Sequence, residues 1–211
     1  MKNKLLVLAV VGTVGIPAHA ALINYNVTGS FTCITCAPGG GTTITSTNAF
    51  GSSTITYTGA TDVVDAPAPP SFAALNLGSF VSTSTVPMPN AGPTFQGNFT
   101  ITITQTSPVP TSGSPFTSTS SYNGTLRSDQ SGVVLSFGTT AGSIASTAGT
   151  TSITLPNTLI IRDPSQGTTS LQGLASFAAA GPPATVPEPS TASIMLAGLA
   201  SLGVALVRRR R

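Results

Sequence analysis

The central part of the chain lacks most of the side chains on which catalysis and metal binding depend. Between residues 21 and 186 there is no lysine, histidine, glutamate or tryptophan, because the one histidine of the chain is His19. A Ser-His-Asp or Ser-Lys nucleophile therefore has no base, and two cysteines without histidine are too few for a zinc site. We predict no catalytic residues, no metal and no cofactor, and hence no enzymatic activity.

Charge is also sparse in this region. The whole chain has a formal net charge of +3, but its basic residues are concentrated at the two ends. Between residues 21 and 186 the charged side chains are Arg127, Arg162, Asp62, Asp65, Asp129 and Asp163, two positive and four negative, which gives −2. A nucleic-acid partner needs a basic surface, so we predict none.

The four aspartates keep two alternative functions open. Paired carboxylates can hydrolyse glycosides, which would make the protein an Asp-dependent polysaccharide-active enzyme. Asp62 and Asp65, together with backbone carbonyls, could bind Ca²⁺ in a carbohydrate- or calcium-dependent binding module or adhesin. All four aspartates lie in or beside turn-like stretches, where aspartate commonly bonds to its own backbone, so we favour a structural role.

The N-terminus has the layout of a cleavable secretory signal. Lys2 and Lys4 precede an apolar run from Leu5 to Ile16, and Ala18-His19-Ala20 places small residues where a signal peptidase reads them. We predict a signal peptide at residues 1–20, with cleavage before Ala21. The alternative is an anchor that is not cleaved.

The C-terminus combines three features in a fixed order. Pro187-Glu188-Pro189 favours an extended backbone, and the uncharged residues 190–207 follow it. As a helix this run would be about 27 Å long, close to the roughly 30 Å hydrocarbon core of a bilayer. The chain ends in Arg208, Arg209, Arg210 and Arg211, and such a cluster stays in the cytoplasm. We predict an inner-membrane anchor that holds the preceding residues in the periplasm.

This arrangement resembles the PEP-CTERM sorting signal of Gram-negative bacteria, and the resemblance is confined to about residues 186–211. It implies recognition by an exosortase, a membrane enzyme that cuts near the Pro-Glu-Pro triplet and passes the protein to the cell surface or the medium. The alternative is a C-terminal anchor that is never cut.

The region between the two ends is predicted to be all-β. Phe99, Ile101 and Ile103 alternate with threonines, which is typical of a half-buried strand. Similar patterns occur at residues 22–32, 54–58, 75–82, 121–127, 133–137, 152–155 and 169–177, and Leu159-Ile160-Ile161 is predicted as a fully buried strand. Short strands between Gly/Pro/Ser turns favour an antiparallel β-sandwich or jelly-roll-like fold. We place this domain at residues 21–177 and a linker at 178–186, and rank a β-solenoid second.

Cys33 and Cys36 are the only cysteines. In an exported protein they are expected to form a local disulfide. A redox-active pair usually stands at the N-terminus of a helix, and no helical pattern follows here. The Thr-x-Thr runs could also form an ice- or crystal-binding face, although solvent-facing strand positions give the same pattern.

These features together predict an exported, non-enzymatic surface or matrix protein associated with exopolysaccharide or a biofilm. Its expected partners are signal peptidase, the exosortase, the inner membrane during transit, and exopolysaccharide. The association with polysaccharide is predicted from the low charge and the abundant hydroxyl groups.

Overall fold

The computed structural model of the chain describes residues 20–36, 41–111, 115–129 and 131–181. The predictions for the signal peptide at residues 1–20, apart from Ala20, and for the sorting signal at 187–211 fall outside these residues. Most of the predicted linker, residues 182–186, does so as well.

The described residues form twelve β-strands and a single 3₁₀ turn at Pro164–Gln166. All strand pairs are antiparallel, and the prediction of an all-β body between the two ends of the chain is confirmed for the described residues. The strands are β1 Ala21–Cys33, β2 Thr43–Asn48, β3 Gly51–Thr58, β4 Thr61–Ala66, β5 Ala73–Ser84, β6 Thr94–Ser107, β7 Phe116–Thr125, β8 Gly132–Phe137, β9 Ala141–Ser146, β10 Gly149–Thr154, β11 Thr158–Arg162 and β12 Thr169–Ala179.

The strands are divided equally between two sheets. Sheet 1 has the order β11-β8-β7-β6-β1-β4, and sheet 2 has the order β2-β3-β5-β12-β10-β9. Sheet 1 contains the consecutive meander β6-β7-β8, whereas β12 lies between β5 and β10 and brings the end of the domain into the middle of sheet 2. The edge strands are β11 and β4 in sheet 1, and β2 and β9 in sheet 2.

The two sheets bury one face each against a common core, as strands of alternating polarity require. In β6, Phe99, Ile101 and Ile103 are buried and the threonines between them point outward, as predicted. Phe99 is at the centre of an aromatic cluster that joins the sheets. Its ring centroid lies 4.8 Å from that of Phe31 in β1, 4.9 Å from that of Tyr57 in β3 and 5.2 Å from that of Phe80 in β5.

Polar side chains also join the two sheets inside the core. Thr151 of β10 donates its hydroxyl to Gln105 Oε1 of β6 over 2.6 Å, and Gln105 Nε2 donates to Pro108 O, also over 2.6 Å. Both side chains are almost fully buried. A buried amide with both ends paired avoids the free-energy penalty of an unsatisfied polar group, so this contact fixes the relative position of β6 and β10.

The prediction that Leu159-Ile160-Ile161 is a fully buried strand is wrong. These residues form β11, which pairs only with β8 and is the edge of sheet 1. Ile161 is buried, but Ile160 is 58% exposed. This run of three apolar residues therefore forms an edge strand, and the middle residue, Ile160, directs its side chain to solvent.

Candidate functional site

The predicted sorting signal is not in the part of the chain that the structure describes. Pro187, Glu188, Pro189 and the arginines at 208–211 lie outside the described residues. In the part of the chain that the structure describes, no helix is long and apolar enough to span a membrane. The folded body has six charged residues and two cysteines.

Asp62 and Asp65 do not form a joint cation site. Both lie in β4, Asp62 next to its first residue and Asp65 next to its last residue. Asp62 pairs with Tyr25, whose side chain points inward, and Asp65 pairs with Leu22, whose side chain points outward. Residues three apart on a strand face opposite sides, so the two carboxylates cannot converge on one ion. Among the described residues there is no group of three or more His, Cys, Asp or Glu side chains able to hold a metal.

Asp129 is paired with Arg127 in the loop between β7 and β8. The Arg127 Nε atom donates to the backbone oxygen of Asp129 over 2.7 Å and lies 3.6 Å from Asp129 Oδ1. The backbone nitrogen of Arg127 also donates to the hydroxyl of Ser131 over 2.7 Å. The charges of Arg127 and Asp129 are thus paired with each other inside one short loop.

Asp163 has the structural role that we favoured for the aspartates. It directly precedes the 3₁₀ turn, and its Oδ1 accepts hydrogen bonds from the backbone nitrogen and the hydroxyl of Ser165. Only 3% of Asp163 is exposed. Its carboxylate organises the turn between β11 and β12, as an Asx turn does.

An open groove of about 1000 Å³ runs along β11. Its walls come from the start of β8, from β11 and from the residues between β11 and β12, and they are mostly polar. Lining residues include Ser131, Ile160, Arg162, Gln166, Thr168 and Ser170. Sequence reasoning missed this groove, because its residues come from two stretches about thirty positions apart.

Arg162 is the basic residue of the groove. Its side chain is exposed, whereas its backbone is held by both sheets. The Arg162 nitrogen donates to Thr169 Oγ1 over 3.1 Å, and the Arg162 oxygen accepts from the hydroxyl of Ser82 over 2.7 Å. Among the described residues, Arg162 forms no ion pair.

Cys33 and Cys36 are joined by a disulfide at the end of β1, with their Cα atoms 5.5 Å apart. The bridged segment continues along β6, because the Ile34 nitrogen donates to Gln96 O over 2.8 Å and the Thr35 hydroxyl donates to Thr94 O over 3.2 Å. Among the described residues the chain continues from Gly41 into β2, whereas a redox-active pair usually stands at the N-terminus of a helix.

The three tyrosines are buried hydrogen-bond donors. The Tyr122 hydroxyl donates to Thr32 O over 3.1 Å, and burial raises its pKa to about 12. Burial also raises the pKa of Tyr57, which donates to Leu77 O. The pKa of Tyr25 is raised by burial and then by the charge of Asp62. All three hydroxyls therefore stay protonated near neutral pH and serve the core.

The outer faces of both sheets are covered with hydroxyl groups. On sheet 1, Thr100 pairs with Ser30 and with Thr119, and the hydroxyl oxygens of Thr100 and Thr119 are 3.2 Å apart. On sheet 2, the hydroxyl oxygens of Thr45 and Thr54 are 3.0 Å apart. The sheets are curled, so these rows do not share one plane, and a flat ice or mineral lattice is not favoured as a partner.

Comparison with known proteins identifies the end of the chain. Residues 185–211 match the family model of the PEP-CTERM protein-sorting motif, which confirms the resemblance of this segment. The chain thus carries a C-terminal sorting signal, which implies an exported protein that an exosortase processes. Neither the search of curated proteins nor the search of solved structures gave a significant match.

Proposed function

We propose that the protein is a non-enzymatic component of the cell surface or of an exopolysaccharide matrix. In this proposal, the signal peptide directs export, and the C-terminal helix and arginines hold the chain in the inner membrane. An exosortase then cuts near Pro187-Glu188-Pro189. The domain at residues 21–177, here called the β-domain, then passes to the surface or the medium. The observation that carries the proposal is the match of residues 185–211 to the sorting motif.

The β-domain supports a structural or binding role. Its twelve strands pair antiparallel within two six-stranded sheets, and buried contacts such as Thr151–Gln105 tie the sheets together. The outward positions of β6 and β7 carry threonine, serine, asparagine and glutamine almost throughout. Such side chains can exchange hydrogen bonds with a hydrated polysaccharide without contributing charge.

The arrangement of the carboxylates favours a non-enzymatic role over the polysaccharide-active alternative. A retaining or inverting glycosidase needs two carboxyl groups that face each other across the substrate. Asp62 and Asp65 point to opposite sides of an edge strand. Asp163 is engaged with Ser165, and Asp129 with Arg127.

Processing can be tested by mass spectrometry of the protein recovered from the cell surface and from the medium. We expect a mature N-terminus at Ala21 and a C-terminus that lacks residues 190–211. A triple variant, Pro187→Ala, Glu188→Ala and Pro189→Ala, should remain full-length in the membrane fraction. The matched control is Pro182→Ala with Pro183→Ala, which changes two prolines outside the matched segment and should be processed normally.

Two results would contradict this proposal. One is surface or secreted protein that still contains Arg211, and the other is normal processing of the triple variant. The matrix role is tested by co-sedimentation of the mature protein with exopolysaccharide from the producing bacterium, and the non-enzymatic role by the absence of new reducing ends after incubation. Release of new ends that depends on one of the four aspartates would favour the enzyme instead.

A further inference from the structure

We propose that the groove along β11 binds an acidic sugar residue of an extracellular polysaccharide, with Arg162 as the partner of the sugar carboxylate. This inference rests on the proposed function and makes it more specific, because it names the class of saccharide and the residue that recognises its charge.

The first argument is the distribution of positive charge. The β-domain has two basic side chains, Arg127 and Arg162. Arg127 is paired with Asp129 through two contacts. Arg162 is exposed and forms no ion pair among the described residues, which include every charged residue between positions 21 and 186. An anion that binds this domain through an ion pair therefore has one available partner, Arg162.

The second argument is that Arg162 is held in place at its base. Its backbone nitrogen donates to Thr169 in sheet 2, and its backbone oxygen accepts from Ser82 in the same sheet, although the residue itself belongs to sheet 1. Gly132 lies directly opposite Arg162 on β8 and lines the same groove. This fixed backbone places the base of the Arg162 side chain at the wall of the groove.

The neighbouring carboxylate does not neutralise the site. Asp163 is next to Arg162 in sequence and also lines the groove, but it is 3% exposed and its Oδ1 accepts two hydrogen bonds from Ser165. Its charge is stabilised inside its own turn. The guanidinium of Arg162 therefore remains available to an external carboxylate.

The remaining groove residues fit a sugar better than a small inorganic anion. One arginine can make a bidentate pair with one carboxylate, and a small inorganic anion bound there would leave the rest of the groove unoccupied. Around Arg162 the groove offers hydroxyls from Thr168 and Ser170 and the amide of Gln166. Ring hydroxyls of a uronic acid can bond to these groups, and a volume of about 1000 Å³ can hold several sugar rings, since pockets of roughly 300–1,000 Å³ hold drug-sized ligands.

The test measures binding of tetragalacturonate to the full chain, purified from membranes in detergent, by isothermal titration calorimetry. The fully methyl-esterified tetrasaccharide is the matched ligand, because it keeps the rings and loses the charges. We expect esterification and the substitution Arg162→Gln each to weaken binding by about tenfold or more, as expected for loss of a charge-assisted hydrogen bond. Arg162→Lys should be intermediate, because it keeps the charge without the fork.

Arg127→Gln is the matched protein control. It makes the same change in net charge at an arginine that is already paired, and Ser131 contacts the backbone of Arg127 rather than its side chain. Its affinity for tetragalacturonate should stay within about twofold of that of the wild type. Inorganic phosphate, added as a competitor, should displace the tetrasaccharide only at much higher concentration than a second acidic oligosaccharide does.

Three results would overturn the proposal. They are equal binding by Arg162→Gln and the wild type, equal binding of the esterified and acidic ligands, and displacement by phosphate as effective as displacement by the acidic oligosaccharide. If one of these occurs while the mature protein still sediments with the bacterium's own exopolysaccharide, only the Arg162 site is refuted. Loss of that sedimentation, or secretion with an intact tail, refutes the proposed function instead.

Discussion

Replacement of Gly29 by alanine tests whether the aromatic cluster is as closely packed as the structure indicates. A Cβ atom at this position would lie 2.6 Å from Phe99 Cζ and 2.6 Å from Tyr57 Cε1. Carbon atoms in contact normally stay about 3.5–4.0 Å apart, so both rings would have to move by about 1 Å. The backbone of Gly29 does not have a positive φ, and the effect of the substitution therefore reports packing alone.

Neither ring can move without disturbing the cluster. Phe99 is fully buried and contacts Phe31 and Phe80 as well as Tyr57. Tyr57 is held by its hydroxyl, which donates to Leu77 O. Overpacking of a well-packed core typically destabilises a protein by about 1–3 kcal/mol. With two rings displaced, we expect a loss of about 2–3 kcal/mol from the free energy of unfolding.

The assay is urea and thermal unfolding of the purified chain, followed by circular dichroism. For a domain of this size the expected loss corresponds to a decrease in Tm of about 4–12 °C. Gly181→Ala is the matched control, because a Cβ there meets nothing within 4 Å, and it should leave Tm unchanged. Adding Phe99→Leu to Gly29→Ala should make room for the new methyl group, so the double variant should be more stable than the sum of the single effects by about 1 kcal/mol.

A stability of Gly29→Ala within about 0.5 kcal/mol of the wild type would refute this reasoning, since changes of that size are typical of surface substitutions. The reasoning would also be refuted if the losses in free energy of unfolding of Gly29→Ala and Phe99→Leu simply added in the double variant. That result would mean that the new methyl group and the Phe99 ring do not compete for the same space.

Three further predictions concern the core, the tyrosines and the disulfide. Thr151→Val should lower the free energy of unfolding by about 1–3 kcal/mol, because it leaves Gln105 Oε1 buried without its donor. Stability should be nearly constant from neutral pH to about pH 9 and should fall above about pH 10, the ordinary tyrosine pKa. The reason is that the unfolded chain loses its tyrosine protons before the folded chain does, and each buried tyrosine can contribute a slope of at most about 1.4 kcal/mol per pH unit. Tyr122→Phe should reduce this alkaline loss up to about pH 12. Reduction of Cys33–Cys36 should lower stability by at most about 2 kcal/mol, the chain-entropy value for so short a loop, and should leave the domain folded.

Each of these predictions has its own control. Thr154→Val changes an exposed threonine on the same strand and should have little effect. A wild-type stability for Thr151→Val would show that Gln105 finds another partner. A flat stability profile between pH 9 and pH 12 would contradict the raised tyrosine pKa values. Unfolding on reduction would contradict the support that the bridged segment receives from Gln96 and Thr94.

The fold class could be predicted because the main strands alternate in polarity. In β6, apolar and hydroxyl residues follow each other without interruption, and the structure buries the apolar set. Three strands were missed: β2, β4 and β9. Their sequences, TITSTN, TDVVDA and AGSIAS, carry few large apolar residues, and each of these strands lies at a sheet edge, where little burial is needed.

The two candidate sites differ in how far the sequence predicts them. The sorting signal is a linear pattern, and proline geometry, helix length and a terminal arginine cluster suffice to recognise it. The groove at Arg162 depends on which strands become neighbours, since β11 pairs with β8 and is followed by a turn that returns to sheet 2. No local pattern specifies that pairing, so Arg162 appears in the sequence only as one of two isolated arginines.

The edge positions of several charged residues bear on how copies of this chain behave when they are concentrated. Unpaired strand edges recruit strands from other copies and so start fibres. Sheet 1 ends in β4, which carries Asp62 and Asp65, and in β11, which carries Arg162. In sheet 2, β9 is partly capped by the chain at Pro110 and Thr111, and β2 is only six residues long. Many copies can therefore crowd together without joining edge to edge into amyloid-like ribbons.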